Sequence, residues 1–137
     1  EEVGIPVRFT THIKDAKWRK LLWNAVWNPL TAVTRRTVDD ILADPDGRRL
    51  AGEVLREVLA VAEAEGVRIP ENAYERNLQP IGDLYPGFKT SMLQDVLSGR
   101  PTEYRAILGP VIEGGERRGI PTPRSRLLYT ILEAREI

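Results

Sequence analysis

The chain has 137 residues, enough for one ordinary domain, and its twenty Lys and Arg residues balance twenty Asp and Glu residues. A net charge of zero argues against a general affinity for nucleic acid or for anionic membranes. The absence of cysteine excludes disulfides and thiolate metal sites and fits the cytoplasm. No apolar run is long enough to span a membrane, no signal peptide is visible, and a single histidine, His12, is a poor start for a zinc site.

The N-terminal segment looks unlike a natural start. It has no Met, it turns at Gly4–Pro6, and Val7–Phe9 has the pattern of a short strand. One strand alone has no sheet to join. We therefore expect the chain to come from a longer protein, with residues 1–12 as the remnant of a linker or missing domain and residues 13–137 as a helical domain.

The rest of the chain is organised around the first helix, and above all around its stretch from Trp18 to Thr31. At about 100° per residue, apolar side chains cover most of the circumference of this helix. The remaining wedge, about 80° wide, holds four polar residues: Lys20, Asn24, Asn28 and Thr31. Because buried polar groups need partners, these four require either a polar ligand or other side chains of the domain. The residues alone leave both alternatives open.

The helix that carries this stretch is predicted from about Asp15 to Thr34, and Pro29 inside it is expected to kink or break it. Only partial helix is expected between residues 70 and 84. Apolar periodicity predicts the further helices 38–42, 48–65, 91–99, 102–119 and 122–135. Six or seven helices with one orphan strand make an all-α domain.

Several helix ends carry recognisable signals. Ser91, with Gln94 three residues later, has the form of a capping box. Thr102 and Thr122 are the predicted N-caps of the last two helices. Gly66 and Gly119 are predicted to end the helices that precede them. A turn is predicted at residues 44–47 and a loop at residues 83–89.

The apolar and charged faces of two helices can also be predicted. Helix 48–65 should expose a charged face made of Arg49, Glu53, Arg56, Glu57 and Glu63. The last helix should point four apolar residues inward: Leu127, Leu128, Ile131 and Leu132. Helix 48–65 is interpreted as a packing element rather than as a carrier of chemistry.

No motif in this chain binds a nucleotide by itself. A G-x-G-x-x-G sequence after a strand and a Walker loop are both missing, and the glycines at 114, 115 and 119 have the wrong spacing. Ser-His-Asp catalysis is excluded in practice, because the only histidine lies near the N-terminus.

Three groups of residues match one known family. The first runs from Trp18-Arg19-Lys20 through Asn24 to Asn28-Pro29-Leu30-Thr31-Ala32. The second is Ser91-Met92-Leu93-Gln94-Asp95-Val96 followed by Gly99-Arg100-Pro101-Thr102-Glu103, and the third is Gly119–Pro123 with Leu128-Tyr129. In this order and spacing, the chain resembles the C-terminal helical domain of the ketopantoate reductases (2-dehydropantoate 2-reductases).

The resemblance implies a two-domain enzyme that reduces ketopantoate to pantoate in pantothenate biosynthesis. In this family an N-terminal Rossmann domain binds NADPH through a Gly-rich loop, and that half is absent from this sequence. The C-terminal half resembles the helical domain of 6-phosphogluconate dehydrogenase. The implied partners are a 2-oxo acid substrate, the missing Rossmann domain and a second copy in a homodimer, and the isolated chain is expected to be inactive.

The resemblance also implies roles for individual residues. Lys20 matches the general acid that protonates the ketone oxygen, and Glu103 matches the acidic residue that helps to bind substrate beside it. An ammonium suits the first role because it stabilises negative charge growing on oxygen and can release a proton. The substrate-binding positions of the family match Asn24, Asn28, Ser91 and, with a less certain role, Asp95.

Each of these residues also has a structural interpretation. In this interpretation, Ser91 does no more than cap its helix, and Glu103 does no more than complement a helix dipole. Asp95 is better interpreted as structural. The chain departs from the family at two positions after Thr-Glu, where an acid is replaced by Arg105 and an amide by Leu108. These departures leave open the alternative that the parent protein is a related reductase with a different 2-oxo acid as its substrate. A helical dimerisation domain without catalysis is the second class of function, against which a buried wedge of one Lys and two Asn argues.

Overall fold

The computed structural model describes the backbone of residues 7–136 and the side chains of residues 13–136. Within that part of the chain there are helices and no strands. The helices are α1 (Val7–Thr34), α2 (Val38–Ala43), α3 (Pro45–Ala64), α4 (Ala73–Arg76), α5 (Ser91–Leu97), α6 (Tyr104–Arg118) and α7 (Pro123–Arg135). The prediction of an all-α domain with six or seven helices is confirmed.

The predicted strand at Val7–Phe9 is wrong, because these residues form the first turn of α1. A lone strand leaves its backbone N–H and C=O groups unpaired, whereas a helix pairs them within the same segment. The helix therefore begins eight residues before the predicted start at Asp15. The predicted turn at Gly4–Pro6 lies outside the described residues.

The helix α1 is the centre of the domain and contacts α2, α3, α5, α6 and α7. Its largest apolar side chains are buried, with Trp18 4%, Leu22 2% and Trp27 0% exposed. The expected break at Pro29 does not occur, since α1 continues to Thr34. Burial of both sides of the helix compensates for the backbone hydrogen bond that proline cannot donate.

The helix α3 begins at Pro45, three residues before its predicted start, because Asp44 caps it. The Asp44 carboxylate accepts a hydrogen bond from the Gly47 N–H (3.3 Å), and Pro45 occupies the first helical position. Gly47 must lack a side chain here, since a Cβ would lie 2.4 Å from the Ile41 carbonyl oxygen. The predicted turn at residues 44–47 is thus a helix start.

The predicted C-terminal glycines are confirmed. Gly66 follows α3 with φ +83°, and Gly119 ends α6 with φ +70°, in the left-handed conformation that glycine adopts most easily. Thr122 is the N-cap residue of α7, as predicted, with Pro123 following it. The N-cap predicted at Thr102 is one residue too early, because Glu103 is the N-cap residue of α6.

The predicted inward face of α7 is only half right. Leu128 and Leu132 are buried, whereas Leu127 and Ile131 are 59% and 41% exposed. A helix packed on one side buries a single stripe, and residues that differ by one position are about 100° apart. Leu127 and Ile131 therefore form a second, exposed stripe. No helix within residues 7–136 is both long enough and apolar enough to cross a membrane.

Candidate functional site

The polar wedge of α1 runs from the surface of the domain into its interior. Lys20 is exposed, Asn24 is half-buried, Asn28 is 6% exposed and Thr31 is fully buried. At 1.5 Å per residue, the stripe from Lys20 to Asn28 is about 12 Å long. The expectation that the lysine is buried is wrong for this domain, because Lys20 lies one turn closer to the exposed end of the stripe than Asn24.

The deepest member of the wedge, Thr31, has a partner inside the domain. Its Oγ1 lies 2.6 Å from Oγ1 of Thr90 and donates to the Trp27 carbonyl oxygen (2.6 Å). Since the Thr31 proton is used in this way, the Thr90 hydroxyl is the donor between the two threonines. The alternative of internal partners therefore holds for Thr31, and the pair fixes the start of α5 against α1.

Ser91 is not the cap of α5, contrary to prediction. Thr90 is the N-cap residue, and its Oγ1 accepts a hydrogen bond from the Leu93 N–H (3.1 Å). The capping box is also absent, because the Gln94 amide donates to the Lys89 carbonyl (3.0 Å). Thr90 is preferred since its hydroxyl is already oriented by Thr31. Ser91 occupies the first helical position with an exposed side chain, so its hydroxyl has no capping function.

Asp95 lies on α5 and is half-buried. Its Oδ1 accepts from Nε of Arg100 (3.2 Å), while the Arg100 N–H donates to the Asp95 carbonyl (2.8 Å). These two contacts close the turn that follows α5, which agrees with the structural interpretation of Asp95. Its pocket-lining role stays a prediction.

Glu103 is exposed at the start of α6, where an open cleft of about 570 Å³ lies between this helix and the end of α7. The cleft is lined by Pro101, Thr102, Glu103, Tyr104, Arg105, Ala106, Glu133 and Glu136. Lys20 does not line it, and within the described residues no ion pair joins Lys20 to Glu103. The two predicted catalytic residues are thus not brought into contact by this domain alone.

The aromatic side of that cleft holds Arg105 in place. Its guanidinium carbon lies 5.2 Å from the centre of the Tyr104 ring, within the range of a cation–π contact. The Tyr104 and Tyr129 rings pack edge to face, with centroids 5.0 Å apart. Burial raises the pKa of the Tyr104 phenol, so this ring stays neutral and serves as a support.

Two further carboxylates have structural positions that sequence patterns do not reveal. Asp39, near the start of α2, accepts the N–H groups of Ile81 (2.9 Å) and Gly82 (2.8 Å) through its two oxygens. A Cβ at Gly82 would lie 2.3 Å from the Asp39 carboxylate, so any other residue there would displace this carboxylate from its two donors. Asp39 thereby fixes the segment that leads to α5. Its partners lie more than forty residues away, which leaves no local signal.

Glu57 was predicted to lie on the charged face of α3 and is instead 8% exposed. Its Oε1 accepts from the N–H (2.9 Å) and Oγ (2.9 Å) of Ser125, and its Oε2 accepts from the Arg124 N–H (3.0 Å). Glu57 therefore supplies the cap that Thr122 does not make at the start of α7. The only sequence hint is the position of Glu57 beside the apolar stripe of α3.

The arginine pair Arg117-Arg118, at the end of α6, forms ion pairs with Glu65. The distances from Glu65 Oε2 are 3.0 Å to Arg117 and 3.5 Å to Arg118, and Lys14 lies 3.6 Å from Oε1. Burial acts to raise the pKa of Glu65. The hydrogen bond and charge of Arg117, together with the other two cations, outweigh burial and hold this pKa below 4.5.

Comparison with known proteins decides the family. The model of the family described as "Ketopantoate reductase PanE/ApbA C terminal" matches residues 12–136. The chain belongs to this family.

Among curated ketopantoate reductases, the chain is similar to the 2-dehydropantoate 2-reductase of Pyrobaculum aerophilum. The two are 35% identical over 136 residues, which cover 99% of this chain and 48% of the relative. The enzyme of the same name from Vibrio cholerae is 34% identical over 131 residues, covering 96% and 44%. The chain thus spans less than half the length of these relatives.

Solved structures give the same assignment of the ketopantoate reductase fold. The 2-dehydropantoate 2-reductase of Geobacter metallireducens superposes with a TM-score of 0.81 at 36% identity, over 89% of this chain and 41% of that one. A dimeric ketopantoate reductase from Staphylococcus aureus gives 0.77 at 31% identity, over 90% and 43%. The helical domain of this family is therefore the fold of the described residues.

The two departures from the ketopantoate reductase pattern have different structural consequences. Leu108 is fully buried in the core, so replacement of an amide there changes packing inside α6. Arg105 is exposed and lines the same cleft as Glu103. Of the two, only Arg105 is placed where it could contact a ligand.

Proposed function

We propose that this chain is the substrate-binding and catalytic half of an NADPH-dependent 2-dehydropantoate 2-reductase. The observation that carries the proposal is the family match over residues 12–136, which contains every residue matched to the family's site. The polar stripe of α1 supports it, because a helix with buried apolar sides has kept Lys20 and Asn24 at an accessible end. At the half-buried Asn24, a scaffold helix would gain stability from Ala or Leu, which have higher helix propensities than Asn.

In this proposal Lys20 is the proton donor. The nicotinamide, when bound, supplies a hydride to the carbonyl carbon of the substrate. The Nζ of Lys20 gives a proton to the carbonyl oxygen, so that the ketone becomes a secondary alcohol and the lysine becomes a neutral amine. The exposure of Lys20 in this domain leaves its ammonium free to meet a substrate held above α1.

Asn24, Asn28 and Ser91 are proposed to bind the substrate. Successive members of the α1 stripe are about 6 Å apart along the helix, so a small 2-oxo acid can contact Lys20 and Asn24 together. The Thr31–Thr90 pair supports the inclusion of Ser91, because it seats the start of α5 on α1. Its exposed hydroxyl is a donor for the substrate carboxylate.

Glu103 is proposed to bind substrate beside Lys20 once the enzyme is complete. It is exposed at the rim of the cleft between α6 and α7, where a carboxylate can turn toward a ligand. Placing it beside Lys20 requires closure around a substrate, as is common for catalytic hydrogen bonds.

The cofactor is proposed to bind mainly to a preceding Rossmann domain. Over residues 7–136 there is no strand, and hence no strand–glycine loop–helix unit to receive a pyrophosphate. The chain's own contribution to the cofactor is therefore limited to closing the cleft over the nicotinamide. The isolated chain should accordingly be inactive. Placement in the cytoplasm stays a prediction.

The test is to express the complete reading frame that contains this chain and to follow oxidation of NADPH with 2-dehydropantoate. Turnover with NADPH, weaker turnover with NADH, and none by the isolated chain are the expected results. Lack of turnover by a folded, complete protein would refute the proposal.

A second candidate is the reductase of a different 2-oxo acid, and Arg105 is the observation that favours it. A guanidinium held over Tyr104 at the rim of the Glu103 cleft could bind a second carboxylate. A panel of 2-oxo acids, including dicarboxylic ones, distinguishes the two. Higher kcat/KM for a 2-oxo diacid than for 2-dehydropantoate would favour this candidate.

Homodimerisation is also proposed, with the exposed stripe of Leu127 and Ile131 on α7 as its apolar contact. Light scattering of the purified chain and of Leu127→Ser would test it. A monomer at high concentration would refute this part of the proposal.

A further inference from the structure

One segment of the domain presents large apolar side chains to the surface. In the segment 81–90, which we call the aromatic loop, Leu84, Tyr85 and Phe88 are 79%, 59% and 37% exposed. The Phe88 ring packs edge to face on Trp23 of α1, with centroids 6.0 Å apart, and lies 6.2 Å from the Tyr85 ring. The adjoining rings of Tyr85 and Phe88 form an apolar surface rather than a scattered exposure.

This loop is held in place at both ends. Asp39 binds the N–H groups of Ile81 and Gly82 at its start, and Thr90 binds Thr31 at its end. Between these anchors, the N–H of Tyr85 donates to the Ile81 carbonyl (2.8 Å) and that of Phe88 to the Tyr85 carbonyl (3.1 Å). The aromatic side chains are therefore exposed by a loop whose conformation is fixed by hydrogen bonds.

The loop lies next to the residues proposed to bind substrate. Trp23 is three residues after Lys20 and one before Asn24 on α1, and Phe88 is three residues before Ser91. The contact between Phe88 and Trp23 thus bridges the two segments that carry the polar groups. The aromatic loop therefore adjoins both of these segments.

We propose that Phe88, supported by Trp23 and Tyr85, is a specificity-determining residue that receives the apolar substituent of the 2-oxo acid. This inference rests on the proposed function. In 2-dehydropantoate the carbon next to the ketone carries two methyl groups. The polar end of that acid would contact the α1 stripe and Ser91, while the methyl groups would pack on the Phe88 ring. One methylene in an apolar pocket changes kcat/KM about 10- to 200-fold.

The experiment measures the complete reductase with two substrates, 2-dehydropantoate and 4-hydroxy-2-oxobutanoate, which lacks the methyl groups. Phe88→Ala should lower kcat/KM for 2-dehydropantoate by about 10-fold or more, mainly through KM. It should change kcat/KM for the unmethylated acid by less than about 2-fold, since that acid has no group to lose contact. Phe88→Leu should restore most of the preference.

A matched control is Leu97→Ala, which shortens a 49% exposed side chain on α5 and should leave both substrates unaffected. Melting temperatures of all variants separate loss of folding from loss of selectivity. Equal losses on both acids would assign Phe88 to contact with the nucleotide-binding half and overturn the inference. Unchanged discrimination would overturn it as well, whereas a wild type that reduces neither acid refutes the proposed function itself.

Discussion

Glu57→Ala should be among the most destabilising single substitutions on α3. The carboxylate is 8% exposed and accepts three hydrogen bonds from residues 124 and 125 at the start of α7. Ser125 is fully buried, so its N–H and hydroxyl would lose their acceptor without access to water. The substitution also removes a negative charge from the positive end of a helix dipole.

The size of the effect follows from these contacts. A buried donor left without a partner costs about 1–3 kcal/mol, and removal of one partner of a buried charged network costs about 3–5 kcal/mol in total. Because the terms describe overlapping contacts, we expect about 3–5 kcal/mol rather than their sum. A domain of this size has a free energy of unfolding of about 5–15 kcal/mol, so the variant should remain folded but marginal.

The assay is urea unfolding of the isolated chain, followed by circular dichroism. With m of about 1–3 kcal/mol/M, the midpoint should fall by more than about 1 M. Glu53→Ala is the matched control, since Glu53 binds the same Arg124 (3.0 Å) from a position that is 38% exposed. It should cost less than about 1 kcal/mol. Equal effects of the two substitutions would refute the assignment of Glu57 as the cap of α7.

Three further predictions follow from the site and the charges. In the complete reductase, Lys20→Ala should lower kcat by about 10²- to 10⁴-fold, whereas Asn24→Ala should act mainly on KM, and steady-state kinetics separate the two. For stability, the pKa of Glu65 is lower in the folded state, so its contribution is present above pH 4.5 and is lost as pH falls through the folded pKa. The stability difference between wild type and Glu65→Gln should therefore shrink below pH 4.5 in acid titrations of unfolding. The isolated chain should show no micromolar binding of NADPH by calorimetry, and such binding would mean that the cofactor site is misplaced.

Local patterns predicted most of the helices because their causes are local. Periodicity located α2, α5, α6 and α7 to within a few residues, and glycines marked two helix ends correctly. The errors arose where a partner distant in sequence determines which residue caps a helix or which residue is buried. Thr90 replaces Ser91 as cap because Thr31 orients its hydroxyl, 59 positions away. Glu57 is buried because the start of α7 needs a carboxylate, 67 positions away. No window along the chain contains both partners of either pair.

The residues of the candidate site come from the family resemblance, whereas their geometry could not be predicted from the sequence. Family resemblance named Lys20, Asn24 and Ser91 without any knowledge of which of them are exposed. No sequence pattern indicated that the aromatic loop exposes its side chains, because the sequence does not distinguish an exposed phenylalanine from a buried one. Its position depends on Asp39, whose role appears only when residues 81 and 82 fold back onto α2.

The gradient of burial along α1 allows the proposed catalytic role of Lys20 to be tested separately from stability. Lys20 at the exposed end can be substituted at a cost within about 0.5 kcal/mol, since no buried contact is lost. Asn28, 6% exposed at the other end, cannot be changed without disturbing the core around it. A large loss of kcat in Lys20→Ala with an unchanged melting temperature would therefore be a chemical effect. The same loss in Asn28→Ala would need correction for folding before any role in substrate binding could be assigned.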